Sequence, residues 1–177
     1  MLPYPPRSPD IVKSVRQRWL FGYWMRLRAT RALPLWSDLD MAELDSCLDD
    51  LTIVVVSGSV GSLYSRVRRR VARRRDCPAL ETYDQTVRIR MPVYTVSKVT
   101  DAESRPVLYE RLLLPFSDFG EKVFRIIAFL ETISPAGAFE RQKLMTDPQT
   151  ASGFAVKAVL QPSSGVKQAR LARPARS

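Results

Sequence analysis

Seven arginines stand between residues 66 and 75: Arg66, Arg68, Arg69, Arg70, Arg73, Arg74 and Arg75. Only Val67, Val71 and Ala72 interrupt them. A guanidinium array of this density suits phosphate contacts. Neutralising one phosphate per arginine would give a log–log salt slope of about −5 to −6. Nucleic-acid binding through these seven residues is therefore one reading. Against it, no aromatic side chain is interleaved with the run, and no helix-turn-helix or zinc-ligand spacing accompanies it. The run also supplies seven charges of a net +10, so the rest of the chain amounts to only +3. Residues 32 to 57 hold no basic residue at all. The basic character is local, carried by the run and the two ends of the chain.

Other chemistry is sparse. The chain has no histidine, which excludes His-based triads, His metal sites and His-ligated haem. No Walker A loop, GxGxxG turn or nucleophile elbow occurs. Cys77 precedes Pro78 beside several arginines, which could lower its pKa, but no base partner can be named for it. The acidic trio Asp38, Asp40 and Asp45 lacks a second ligand cluster and reads as capping and solvation. We expect no catalytic residue, no metal site and no enzymatic activity.

The elements follow from periodicity. Ile11, Val15, Trp19, Tyr23 and Leu27 recur every four residues and predict an amphipathic helix over 10–32, with Asp10 as cap and Pro34 beyond its end. A short acidic helix over 37–51 would turn Leu44, Cys47, Leu48 and Leu51 to one face. The β-branched run 52–56 predicts a buried strand. Pro78 opens a helix with Leu80, Tyr83, Val87 and Met91 inward. Strands are expected at 93–100, 107–116 and 122–133, with SDFG as the turn between the last two, forming an antiparallel meander. Residues 1–9 read as a disordered proline-rich N-terminus. Residues 136–177 read as a flexible basic tail in which Phe154 to Leu160 could form a brief element. No apolar run is long enough to span a bilayer, and we expect a cytoplasmic protein with free thiols.

Two stretches carry a resemblance. YWMRLRATRALPLWSDLDMAELDSCLDDLTIV and ETYDQTVRIRMPVYTVSKVTDAESRPVLYERLLLPFSDFGEKVFRIIAFL resemble the opening and closing halves of a family of small bacterial PAS-domain proteins. MPVY at 91–94 and YERLLLPFSDFGEKV at 109–123 are the most specific pieces. The resemblance implies an α+β, PAS-like domain over 10–135: an antiparallel five-stranded sheet with helices on one face, often around a small pocket. It also implies a sensory, ligand-binding or protein-interaction role in signalling. A homodimer through the N-terminal helix, or another signalling protein, would be its partner. Val96, Leu108, Leu112, Leu114, Ile126 and Phe129 are the pocket candidates. The cofactor is open; the flavin-adduct cysteine motif of light-sensing relatives does not surround Cys47 or Cys77.

The chain departs from the family over 57–78, where a second strand and a glycine-containing loop are expected and the arginine run stands instead. This segment is either an adaptation for an anionic partner or an out-of-frame replacement in a GC-rich gene. In the extreme case the chain is a degenerate PAS remnant with no retained function.

Overall fold

The computed structural model describes residues 4–56, 78–100, 106–133 and 153–161. The arginines from Arg66 to Arg75, and Cys77, lie outside the described residues, and so does the rest of the 57–77 departure.

The fold is α+β. Six strands form one mixed sheet: β1 (Pro6–Arg7), β2 (Leu51–Val55), β3 (Val93–Thr100), β4 (Pro106–Phe116), β5 (Arg125–Thr132) and β6 (Gly153–Leu160). Their order is β1-β6-β3-β4-β5-β2. The predicted meander forms its centre, with Tyr94 opposite Leu112 and Leu112 opposite Phe129. β2 adds antiparallel to β5, and β6 antiparallel to β3. The sheet is mixed rather than purely antiparallel because β1 runs parallel to β6. Residues expected to be a disordered N-terminus and a flexible tail thus join the sheet as β1 and β6, and it extends to Leu160, well past the point where hydrophobic pattern fades.

Among the described residues two α-helices cover the sheet. α1 (Val15–Arg28) is shorter than the expected 10–32, because residues Pro9–Ile11 form a separate 3-10 turn. Ser14, not Asp10, caps it: its side chain accepts from Gln17 N, as an N-cap oxygen does. Ala29, at φ 48°, ends it. The buried face consists of Gln17, Leu20, Phe21, Tyr23 and Trp24. Val15 and Trp19, placed inward by the four-residue repeat, are 71% and 38% exposed. The true stripe follows the 3.6-residue turn through 17, 20, 21 and 24 rather than a strict repeat of four. Burying Leu, Phe or Trp side chains contributes about 1.5–3 kcal/mol each, so the stripe with Leu20, Phe21 and Trp24 prevails.

The acidic segment forms two 3-10 turns, Trp36–Asp38 and Asp45–Asp50, instead of one helix. Leu44 and Cys47 are buried, while Leu48 is exposed. β2 is an outer strand among the described residues, so Ile53 and Val55 stay exposed where a buried strand was expected.

α2 (Pro78–Ile89) spans the predicted helix and ends where Arg90 adopts φ 57°, just before Pro92, but its buried side is Thr82, Tyr83, Gln85 and Thr86, while Val87 and Met91, expected inward, are only half-buried. Its position corrects the expectation of helices on one face. Successive strand residues point to opposite faces. Glu110 accepts from Ser14 N at the start of α1, at 3.1 Å. Its neighbour Arg111 instead lies over the Tyr83 ring of α2, 5.6 Å from the centroid. The helices therefore pack on opposite faces of the sheet.

Candidate ligand-binding site

On the α1 face the sequence-predicted pocket residues are largely core. Val96, Leu108, Leu112, Leu114 and Phe129 share that face by register. All but the half-buried Leu108 belong to the main apolar cluster, which also holds Leu20, Phe21 and Trp24. Ile126, opposite Pro115, points to the other face and is equally buried. The six do not come together around one space.

This face is organised by the α1 N-terminus. Glu110 and Glu131 are directly opposed on β4 and β5, a repulsive pairing by itself. Ser14 resolves it by donating its backbone N–H to Glu110 and its hydroxyl to Glu131. Arg16 adds ion pairs to Glu131 at 3.2 Å and Asp50 at 2.6 Å. These hydrogen bonds and charges hold the Arg16 guanidinium above its ordinary pKa against the opposing effect of its partial burial. The positive end of the helix dipole faces the carboxylates and favours the same arrangement.

At the other end of α1, the two stretches that carry the family resemblance meet. Trp24 Nε1 donates to Pro115 O at 2.8 Å. Trp36 N donates to Ser117 O, and Ser117 N to Pro34 O, at 2.7 and 3.0 Å. The SDFG turn that follows is held by Ser117 Oγ, which accepts from Phe119 N and Gly120 N. Gly120 sits at φ 99°, where a side chain is strained. Asp118 pairs with Arg125, whose guanidinium covers the Trp36 ring at 4.9 Å.

The α2 face differs in kind. Thr82, Tyr83, Gln85 and Thr86 form the buried side of α2, the i, i+3, i+4 set that should hold aliphatic side chains. Beneath lie Thr95 and Ser97 of β3, opposite Arg111 and Tyr109 of β4. Lys157 of β6, opposite Thr95, carries the same face outward. Tyr4, buried at the N-terminal edge, meets it there: Lys157 Nζ lies 5.2 Å from the Tyr4 ring and 3.6 Å from the Glu81 carboxylate. A polar layer thus lies between helix and sheet.

Part of that layer has no hydrogen-bond partner. Thr86 Oγ1 donates to Thr82 O at 2.8 Å. Tyr4 Oη, Gln85 Nε2, Thr95 Oγ1, Ser97 Oγ, Arg111 Nε and Arg111 Nη2 are buried and bonded to nothing. Each such group costs about 1–3 kcal/mol, and a charged one more. Arg111 is only 4% exposed, and no carboxylate among the described residues lies within ion-pair distance of it. Burial pushes the Tyr4 hydroxyl up to about 12, and the neighbouring Glu81 charge adds to this. Burial likewise raises Tyr83, with the Arg111 charge pulling it back.

Sequence reasoning missed Arg111, Thr95, Ser97, Gln85 and Tyr4. The signal was present: alternation in β3 already set Thr95 and Ser97 on one side, and a helix projection of α2 sets Thr82, Gln85 and Thr86 together. Two polar faces ordinarily mean solvent, not each other.

Among the described residues no group of His, Cys, Asp or Glu side chains could hold a metal ion, and no helix is long and apolar enough to cross a membrane. Comparison with family models, curated proteins and solved structures finds no match for this chain.

Proposed function

We propose that this chain is a non-enzymatic, PAS-like module that binds a small molecule between α2 and the sheet and signals its presence to a protein partner. The observation that carries the reading is the buried polar layer with its unpartnered donors and acceptors. Buried polar groups in folded proteins are nearly always satisfied. A cluster of orphans on adjacent strands and the facing helix has the composition of a binding site whose partner is supplied from outside.

The PAS-like part of the reading rests on the sequence resemblance. Its support is that the two resembling stretches make the Trp24–Pro115 and Trp36–Ser117 contacts, and that the closing half forms a continuous antiparallel meander. Because Tyr4 and β1 border the polar layer, an occupant there would bear on the N-terminal segment leading into α1. That gives ligand state a route to a partner surface.

The test is a thermal-shift screen of the full chain with a mixed panel of small metabolites. A binder at one hundred times its Kd should add about 2.7 kcal/mol of stability. A cooperative melt that no compound moves would contradict the proposal.

A further inference from the structure

The orphan atoms of Arg111 are not a random pair. Nε–H and the adjacent Nη2–H form one edge of the guanidinium, two parallel donors at the spacing of a carboxylate's two oxygens. That edge is unpartnered and buried. Thr95, directly opposite Arg111, and Ser97, two residues along β3 on the same face, carry unpartnered hydroxyls. Gln85 contributes an unpartnered amide N–H from α2. Lys157, a second cation on this side, already faces Glu81. Among the described residues the layer therefore has one uncompensated positive charge, with donors grouped around it.

We propose that the ligand is a small monocarboxylate or the carboxylate end of a small organic acid, held side-on by Arg111 Nε and Nη2. Thr95, Ser97 and Gln85 hydrogen-bond its oxygens and the atoms next to them. This rests on the ligand-binding reading above and narrows it. One missing negative charge matches a carboxylate; a dianionic phosphate would need a second free cation. Tyr83, under the guanidinium, fixes the plane of the Arg111 fork through the ring contact at 5.6 Å.

The experiment titrates the dialysed full chain by calorimetry with acetate, benzoate, phenylacetate and succinate, each against its primary amide. At least one acid should bind about tenfold or more tighter than its amide, the amide being unable to compensate the charge. The variant Arg111→Met should lose that preference. Without ligand it should melt no lower than the parent, because removing an uncompensated buried charge relieves the empty protein. Arg111→Lys should bind the same acid more weakly than the parent, having lost the bidentate edge. If neutral compounds bind and acids show no advantage, the carboxylate assignment falls while the ligand-binding reading stands. If nothing in either series binds and the metabolite screen is also silent, both fall. A ligand-free Arg111→Met protein that melts several degrees lower would show that the guanidinium serves the fold itself, and would overturn the assignment.

Discussion

Tyr4, Tyr23, Tyr83 and Tyr94 all have hydroxyls whose ionisation is disfavoured, in each case chiefly by burial. Tyr4 reaches about 12 from an ordinary value of 10.0. The sign follows directly. Below pH 10 these phenols are neutral in both folded and unfolded chains, and their contribution to stability is fully present. Above it the unfolded chain ionises first, so stability falls as pH rises, Tyr4's share being spent near pH 12. The expected outcome is that tyrosinate absorbance and loss of circular dichroism rise together in one step above pH 10. Smooth titration of these tyrosines near pH 10 in an intact fold would contradict it. Arg111 belongs to the same scale. Its place in β4 could be counted from the sequence, but its burial could not, because an arginine at a strand's centre reads as a solvent-facing residue until a helix is known to cover it.

α1 shows how an element is fixed by more than its apolar stripe. Ser14 caps the helix and joins it to Glu110 and Glu131 on two strands. Ser14→Ala should cost about 1–2 kcal/mol, the range for losing an N-cap hydroxyl, measured by chemical denaturation. Ser14→Thr should restore most of it, whereas equal losses in both variants would mean the hydroxyl does not act as a cap. The central strands were legible because their period of two is long and clean; the span of α2 was marked by Pro78 and Pro92, but its buried side was not. The start of α1 was misjudged because Pro9–Ile11 forms its own turn, capped by Ser8, and the repeat of four ran across that break. β1 and β6 were least legible. They are short or sit among Ser, Pro and Gly, and only their pairing with each other and with β3 makes them strands. That pairing links residues about 150 apart in sequence, which no local pattern encodes.

At the scale of the molecule, the α+β class and the three-strand meander followed from the chain itself, but the two-sided arrangement of helices did not. That arrangement matters for function. It leaves the face under α1 packed largely as an apolar core, and sets the polar layer of Thr82, Gln85, Thr86, Thr95, Ser97 and Arg111 under α2, beside buried Val93 and Leu113. The arginine run that dominates the charge lies outside the described residues, and the candidate site is built around the buried Arg111. The most direct measurement is a crystal structure of the protein as purified, and again after soaking with the tightest-binding carboxylic acid. The account predicts density for a non-protein molecule between α2 and β3–β4, with two oxygens within hydrogen-bonding distance of Arg111 Nε and Nη2 and further contacts to Thr95 and Ser97. An Arg111 edge satisfied by a carboxylate of the chain itself, with the acid absent from that space after soaking, would contradict it.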